Sequence, residues 1–164
     1  MSNPFPADRI QIPAARIQMS EFAQRPLAAL LRLEGAIELE GDLRNLINVR
    51  ASQLNGCAVC IDMHWKDARG AGESEERLYS LNAWRESPLY SERERAALAL
   101  CEAVTLVTEG HVPDEVWDRA RQLFDERELI QLVFAIMAIN AFNRLCITVR
   151  VEPGHYQPGM LKAA

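Results

Sequence analysis

The chain lacks several features that would assign it to common classes. Its 18 Lys and Arg stand against 23 Asp and Glu, a formal net charge of -5, and aromatics make up only 7% of the residues. No basic cluster is interleaved with those aromatics, so nucleic acid is a poor partner. No apolar run is long either. The longest, Leu129 to Phe142, is interrupted by Gln131 and Asn140 and falls short of the roughly 20 residues that cross a bilayer. It reads as a core helix, and no membrane partner is expected. The opening "MSNPFPADRIQIPAARI" has neither the basic start nor the continuous apolar segment of a signal peptide, so an intracellular, cytoplasmic protein is expected. No stretch is compositionally biased or repeated, and 164 residues, 49% of them hydrophobic, suffice for one domain with a real core.

Two-residue alternation bounded by turns is also missing, whereas helical periodicity is nearly continuous. The expected fold is all-α: an extended arm over residues 1–18, then a single helical domain over 19–164. Leu27, Leu30, Leu31 and Glu34 share one face of a first helix in which Pro26 sits near the start. "GDLRNLINVRASQLNG" supplies a second, with Leu43, Leu46, Ile47, Arg50 and Leu54 on one side and Asn55-Gly56 as a left-handed stop. Ser91 with Glu94, and Asp125 with Glu128, form capping boxes that open two later helices. Between these, "VPDEVWDRARQLF" is a shorter amphipathic helix opening at Pro113.

Cysteine and histidine are scarce, four and three in the whole chain, yet "NGCAVCIDMH" holds two of one and one of the other. Because the preceding helix stops at Asn55-Gly56, this pair falls in the first turn of the next helix, which runs to about Gly70. Free N–H groups and the positive dipole end stabilise a thiolate there, in settings that lower a Cys pKa from about 8.5 to roughly 3.5–7.5. Cys57, Cys60, Ile61 and His64 fall at i, i+3, i+4 and i+7 and share a face. Residues three apart on a helix have Cβ atoms about 5–6 Å apart, close to what a disulfide requires. His64, one turn beyond Cys60, is placed to take or return its proton.

Three readings fit these residues. As packing groups, Cys57 and Cys60 are small hydrophobes and His64 a core histidine, the reading that suits the isolated Cys101 and Cys146. As metal ligands they number three where a closed structural zinc site takes four, and the fourth would come from His111, His155 or a carboxylate. As a redox centre they use everything present: two thiols, a dipole and an imidazole. No cofactor is implied. A thioredoxin fold is excluded because the βαβ pattern is missing, which leaves a helical thiol oxidoreductase.

"SQLNGCAVCIDMH", within "LRNLINVRASQLNGCAVCIDMHWKDARGAGE", resembles the core of the AhpD-like alkylhydroperoxidases of the carboxymuconolactone decarboxylase superfamily. Their mark is CxxC with a histidine four residues after the second cysteine, and the likeness runs from about Phe22 to Pro158. It implies an all-helical homo-oligomer, a trimer or a hexamer built from trimers. It also implies reduction of a hydroperoxide substrate at the cost of a dithiol electron donor. Cys60 would attack the peroxide, Cys57 would resolve the resulting sulfenic acid, and His64 would relay protons. The dipole argument alone favours Cys57 as the more acidic nucleophile, so physics and resemblance differ on order.

There are departures. Val59 stands where many members have histidine, and Asn45 where many have a relay glutamate, so the base must come from elsewhere. Glu102, charged within the apolar "ALALCEAVTLV", is the candidate; if buried, its pKa should rise toward that of an imidazole. The superfamily also contains decarboxylases that act on a muconolactone ring without depending on a CxxC pair. A non-catalytic thiol sensor or metal-binding protein is a further alternative.

Overall fold

The structure is a computed structural model that describes residues 14–160. The expected arm therefore lies mostly outside the described residues. Its last part, Ala14–Gln18, is exposed and irregular, and the Arg16 N–H donates to the Val149 carbonyl at 2.9 Å. Every regular element among the described residues is helical: α1 (Met19–Phe22), α2 (Gln24–Gly35), α3 (Gly41–Asn55), α4 (Ala58–Gly70), α5 (Glu75–Ser80), α6 (Glu92–Thr105), α7 (Asp114–Arg121) and α8 (Glu126–Val149), with short 3-10 turns at Leu81–Ala83 and Val107–Glu109.

The local chemistry accounts for most of the boundaries. Both capping boxes form, Ser91 with Glu94 and Asp125 with Glu128, so each helix start satisfies N–H groups that have no partner within the helix. Gly56 ends α3 at φ 69°, a left-handed conformation that costs glycine little. Pro113 sits just outside α7, with α7 beginning at Asp114 rather than at the proline itself.

Helix α3 is the centre of the molecule and packs against α4, α6 and α8. Leu43, Leu46, Ile47 and Val49 are buried on it, and they meet Leu98 and Leu100 of α6 and Leu132, Ile136 and Ile139 of α8 in one core. Helix α8 is long and apolar enough by composition to cross a bilayer, but Leu129, Leu132, Ile136 and Ile139 are spent on this core. Its other face is bare: Ile130, Phe134 and Met137, spaced i, i+4 and i+7, remain exposed.

Four of the buried polar side chains, Ser52, Thr105, Asn140 and Asn143, form a connected set with Asn55. The Asn55 amide donates to Asn140 Oδ1 at 3.0 Å and Asn143 Oδ1 at 2.9 Å, and Asn143 Nδ2 donates to Ser52 Oγ at 3.0 Å. Ser52 Oγ in turn donates to the Asn48 carbonyl at 2.7 Å, and Asn140 Nδ2 to Thr105 Oγ1 at 2.9 Å. A buried network is stabilising only when its members are satisfied. This one ties the last turn of α3 to α6 and α8, immediately before the cysteine pair.

Candidate active site

Cys57 is the residue just before α4 and Cys60 lies in that helix's first turn. The Cys57 N–H donates to the Ser52 carbonyl at 3.0 Å, closing the turn, and the Cys57 carbonyl accepts the Ile61 N–H at 2.9 Å, opening α4. The two cysteines are joined as a disulfide with their Cα atoms 5.4 Å apart, within the usual range for such a bond. Each is only 1% exposed.

Only one of them reaches the cavity beside α4. This space of about 630 Å³ is bounded by α2, α3, α4, α8 and the C-terminal segment; Cys60 and His64 line it, and Cys57 does not. Leu27, Leu31, Ile139, Phe142 and Met160 make most of its wall apolar. The segment from Val151 to Met160 closes one side and is fastened to α4. Tyr156 Oη donates to Asp67 Oδ1 at 2.7 Å, Lys66 Nζ to the Tyr156 carbonyl at 3.0 Å, and the Gly154 N–H to Asp62 Oδ2 at 3.2 Å. Burial and the Asp67 carboxylate push the Tyr156 hydroxyl up to about 12, so it remains a donor.

His64 is pushed down to about 4, first by burial and then by the positive charge of Arg44. It is therefore a neutral imidazole near pH 7. Arg44 itself is matched by Glu34, Nη2 to Oε1 at 2.5 Å, and both line the cavity. Among the described residues no group of three or more His, Cys, Asp or Glu side chains is placed to hold a metal ion.

The structure does not bring Glu102 to this cavity. Its carboxylate accepts from Arg50 Nε and from Trp84 Nε1, each at 2.8 Å, and pairs with Arg85 Nη1 at 2.6 Å. The expected rise in its pKa is reversed. Burial pushes the carboxyl up, but Trp84, Arg85 and Arg50 together outweigh it and hold it below the usual carboxylate range. Asn45 does not line the cavity, whereas Asn48, one turn further along α3, does. Cys101 is fully enclosed, donates to the Ile47 carbonyl and is pushed up to about 12 by burial. Cys146, read from sequence as a packing residue, lies on the cavity wall, its thiol pushed up by burial.

Sequence reasoning missed Asn48, the Arg44–Glu34 pair and Tyr156. Asn48 carried a signal, an amide between Ile47 and Val49 in a buried stripe. Tyr156 carried none, because its role depends on how the chain end folds back on α4.

Fold and site together define an AhpD-like helical protein whose paired cysteines present one thiol to an apolar cavity. The chain belongs to the carboxymuconolactone decarboxylase family, whose model matches residues 24–103. It is 50% identical over 137 residues to the uncharacterized protein YdfG of Bacillus subtilis, covering 82% of this chain and 93% of that one. Its fold matches ATU0492 of Agrobacterium tumefaciens, described as a protein of unknown function and putative antioxidant defence protein AhpD. That match has a TM-score of 0.84 at 36% identity, over 87% of this chain and 100% of the other. The debrominase Bmp8 shares the fold at 21% identity, with a TM-score of 0.73 over 84% of this chain and 75% of its own.

Two predictions follow from these geometries. In the oxidised protein, an NMR titration should place the His64 midpoint near 4 rather than 6.5. The unfolded chain binds that proton first as pH falls, so stability should decline between about pH 6.5 and 4; a midpoint of 6 or above contradicts the assignment. Glu102→Gln leaves Arg50 and Arg85 without their carboxylate and should lower unfolding free energy by about 1–3 kcal/mol, with thiol chemistry preserved. A large loss of turnover in a fully stable variant would instead return Glu102 to the proton relay.

Proposed function

We propose that the protein is a thiol-dependent hydroperoxide reductase with an antioxidant role, cycling between the Cys57–Cys60 disulfide and the dithiol. The observation that carries the reading is that Cys60 opens on the cavity, beside His64, while Cys57 sits behind it. A substrate entering the cavity meets Cys60 first.

In the cycle, the Cys60 thiolate attacks the distal peroxide oxygen and the O–O bond breaks, giving Cys60 sulfenic acid and an alkoxide that takes a proton to leave as alcohol. The Cys57 thiol then condenses with the sulfenic acid, forming the S–S bond and releasing water. An external dithiol reduces that bond by two electrons and is itself oxidised. His64, neutral in the disulfide state, accepts the Cys60 proton as the thiolate forms and supplies it to the leaving alkoxide. Glu102 has no part in this route because its carboxylate is already committed to Arg50, Arg85 and Trp84. The donor dithiol fits a cytoplasmic setting, where thiols are kept reduced.

The decarboxylase reading finds less support, since ring opening does not call for the cysteine pair that the site is built around. The exposed Ile130, Phe134 and Met137 stripe of α8 supports assembly as a homo-oligomer, because an apolar face of this kind favours burial; that the assembly is a trimer or a hexamer is what the family resemblance implies.

Peptide mapping after one equivalent of hydroperoxide should show the Cys57–Cys60 bridge. Cys60→Ser should abolish peroxide consumption, and Cys57→Ser should allow one turnover and leave a sulfenic acid on Cys60 that a dimedone-type reagent traps. Sustained turnover in Cys60→Ser would end the proposal, whereas a single turnover that leaves a trappable sulfenic acid on Cys57 in that variant would reverse the two roles. Light scattering at micromolar concentration should report an oligomer; a monomer alone contradicts the assembly.

A further inference from the structure

The cavity has already spent nearly all of its polar groups on itself. Arg44 is paired with Glu34, and Asp67 accepts from Tyr156. Two polar side chains are left over, the neutral imidazole of His64, which the proposed cycle uses, and the amide of Asn48. Asn48 is 7% exposed and lines the cavity, and its side-chain amide has no hydrogen-bond partner among the described residues. Its backbone carbonyl accepts from Ser52 Oγ. No side-chain nitrogen or oxygen that is fully enclosed among the described residues lacks a partner, so the Asn48 amide is not sealed off, and what satisfies it has to come from the space it faces. Here the open side of the amide is the cavity itself.

A second constraint concerns charge. Each ionised group facing the cavity from α2, α3 and α4 has its counter-charge or donor: Arg44 with Glu34, and Asp67 with Tyr156. Glu152 and His155 stand at the exposed rim. A carboxylate-bearing ligand would have to sit unpaired in an apolar space or break the Arg44–Glu34 pair, and either is costly. A neutral ligand meets neither penalty.

We propose that Asn48 is the ligand-recognition residue of this cavity, and that the cavity takes a neutral, mainly apolar molecule carrying one hydroxyl-type oxygen, which hydrogen-bonds the Asn48 amide. The amide suits such a group from both ends, because Nδ2 donates to the oxygen and Oδ1 accepts its proton. On the proposed function that molecule is an organic hydroperoxide and then the alcohol it becomes, with Asn48 holding the O–H end near Cys60 and the apolar remainder against Leu27, Leu31 and Phe142. This deepens that reading, but binding of the alcohol does not depend on it.

The test uses 2-phenyl-2-propanol on the oxidised wild-type protein, with the side-chain amide resonances of Asn48 observed by NMR. Saturable shifts of those resonances are expected. Asn48→Ala should weaken binding by about 10-fold, the usual consequence of losing one buried hydrogen bond. The carboxylate analogue 4-isopropylbenzoate should bind at least about 10-fold more weakly than the alcohol, on the same scale. No binding of the alcohol, or binding that leaves the Asn48 resonances unmoved, overturns the proposal, as does an alanine variant that binds like wild type. Tighter binding of the carboxylate overturns the neutral-ligand assignment. Should the alanine variant fail to fold, the wild-type resonances still decide the matter. A protein that binds the alcohol through Asn48 but does not consume cumene hydroperoxide would refute the reductase reading and leave this site standing.

Discussion

The site depends on how the chain turns between α3 and α4, and that turn hangs on the backbone hydrogen bond from the Cys57 N–H to the Ser52 carbonyl, beside a second from the Gly56 N–H to the Gln53 carbonyl. Gly56 makes it possible by taking a left-handed φ of 69°. The bond places Cys57 directly before α4, so the two cysteines lie 5.4 Å apart between Cα atoms. The turn would fray if its own residues were its sole support, since a helix end leaves several carbonyls without partners. Ser52, however, is held by Asn143 of α8, and Asn55 by Asn140 and Asn143. The geometry of the thiol pair is thus set from two helices away, by side chains that carry no redox chemistry.

That arrangement divides the site into a rigid back and an open front. Behind the disulfide, the amide network and the Arg50–Glu102 pair lock α3 against α6 and α8. In front, Cys60 and His64 face an apolar space closed by a segment that is fastened to α4 through Tyr156, Lys66 and Asp62. The fastening uses the same helix that carries Cys60, so the wall of the cavity and the Cys60 sulfur share one support.

Much of this was legible in local sequence. The capping pairs Ser91–Glu94 and Asp125–Glu128, the Asn55-Gly56 stop and the extent of α4 all follow from interactions within a few residues, which is why pattern reading finds them. The same logic misled at Glu102. A lone carboxylate in an apolar helix can be buried and basic or buried and paired, and the choice rests on Arg50, Trp84 and Arg85, far from it in the chain. Motif spacing singled out Asn45 on α3 as the position that lacks a relay glutamate, whereas helix rotation puts Asn48 on the cavity side. The closing segment was invisible, because nothing within Val151–Met160 announces that its tyrosine will find Asp67.

The depressed basicity of His64 looks at first like an obstacle to proton transfer, since a group with a pKa of about 4 is a poor base near neutrality. In the disulfide state burial and Arg44 act on it unopposed, because the paired sulfurs carry no negative charge. Reduction changes the electrostatics, because a Cys60 thiolate one turn away on the same cavity wall is a negative charge that favours imidazolium. Thiol and imidazole then titrate as a coupled pair whose proton belongs to neither alone. In the proposed cycle this coupling makes the proton available only while the thiolate exists to need it: attack on the peroxide removes the negative charge from sulfur, the imidazolium loses its partner, and its proton is driven toward the departing alkoxide. Burial of His64 fits this chemistry because, once the thiolate charge is consumed, burial and Arg44 both disfavour keeping the proton on the ring.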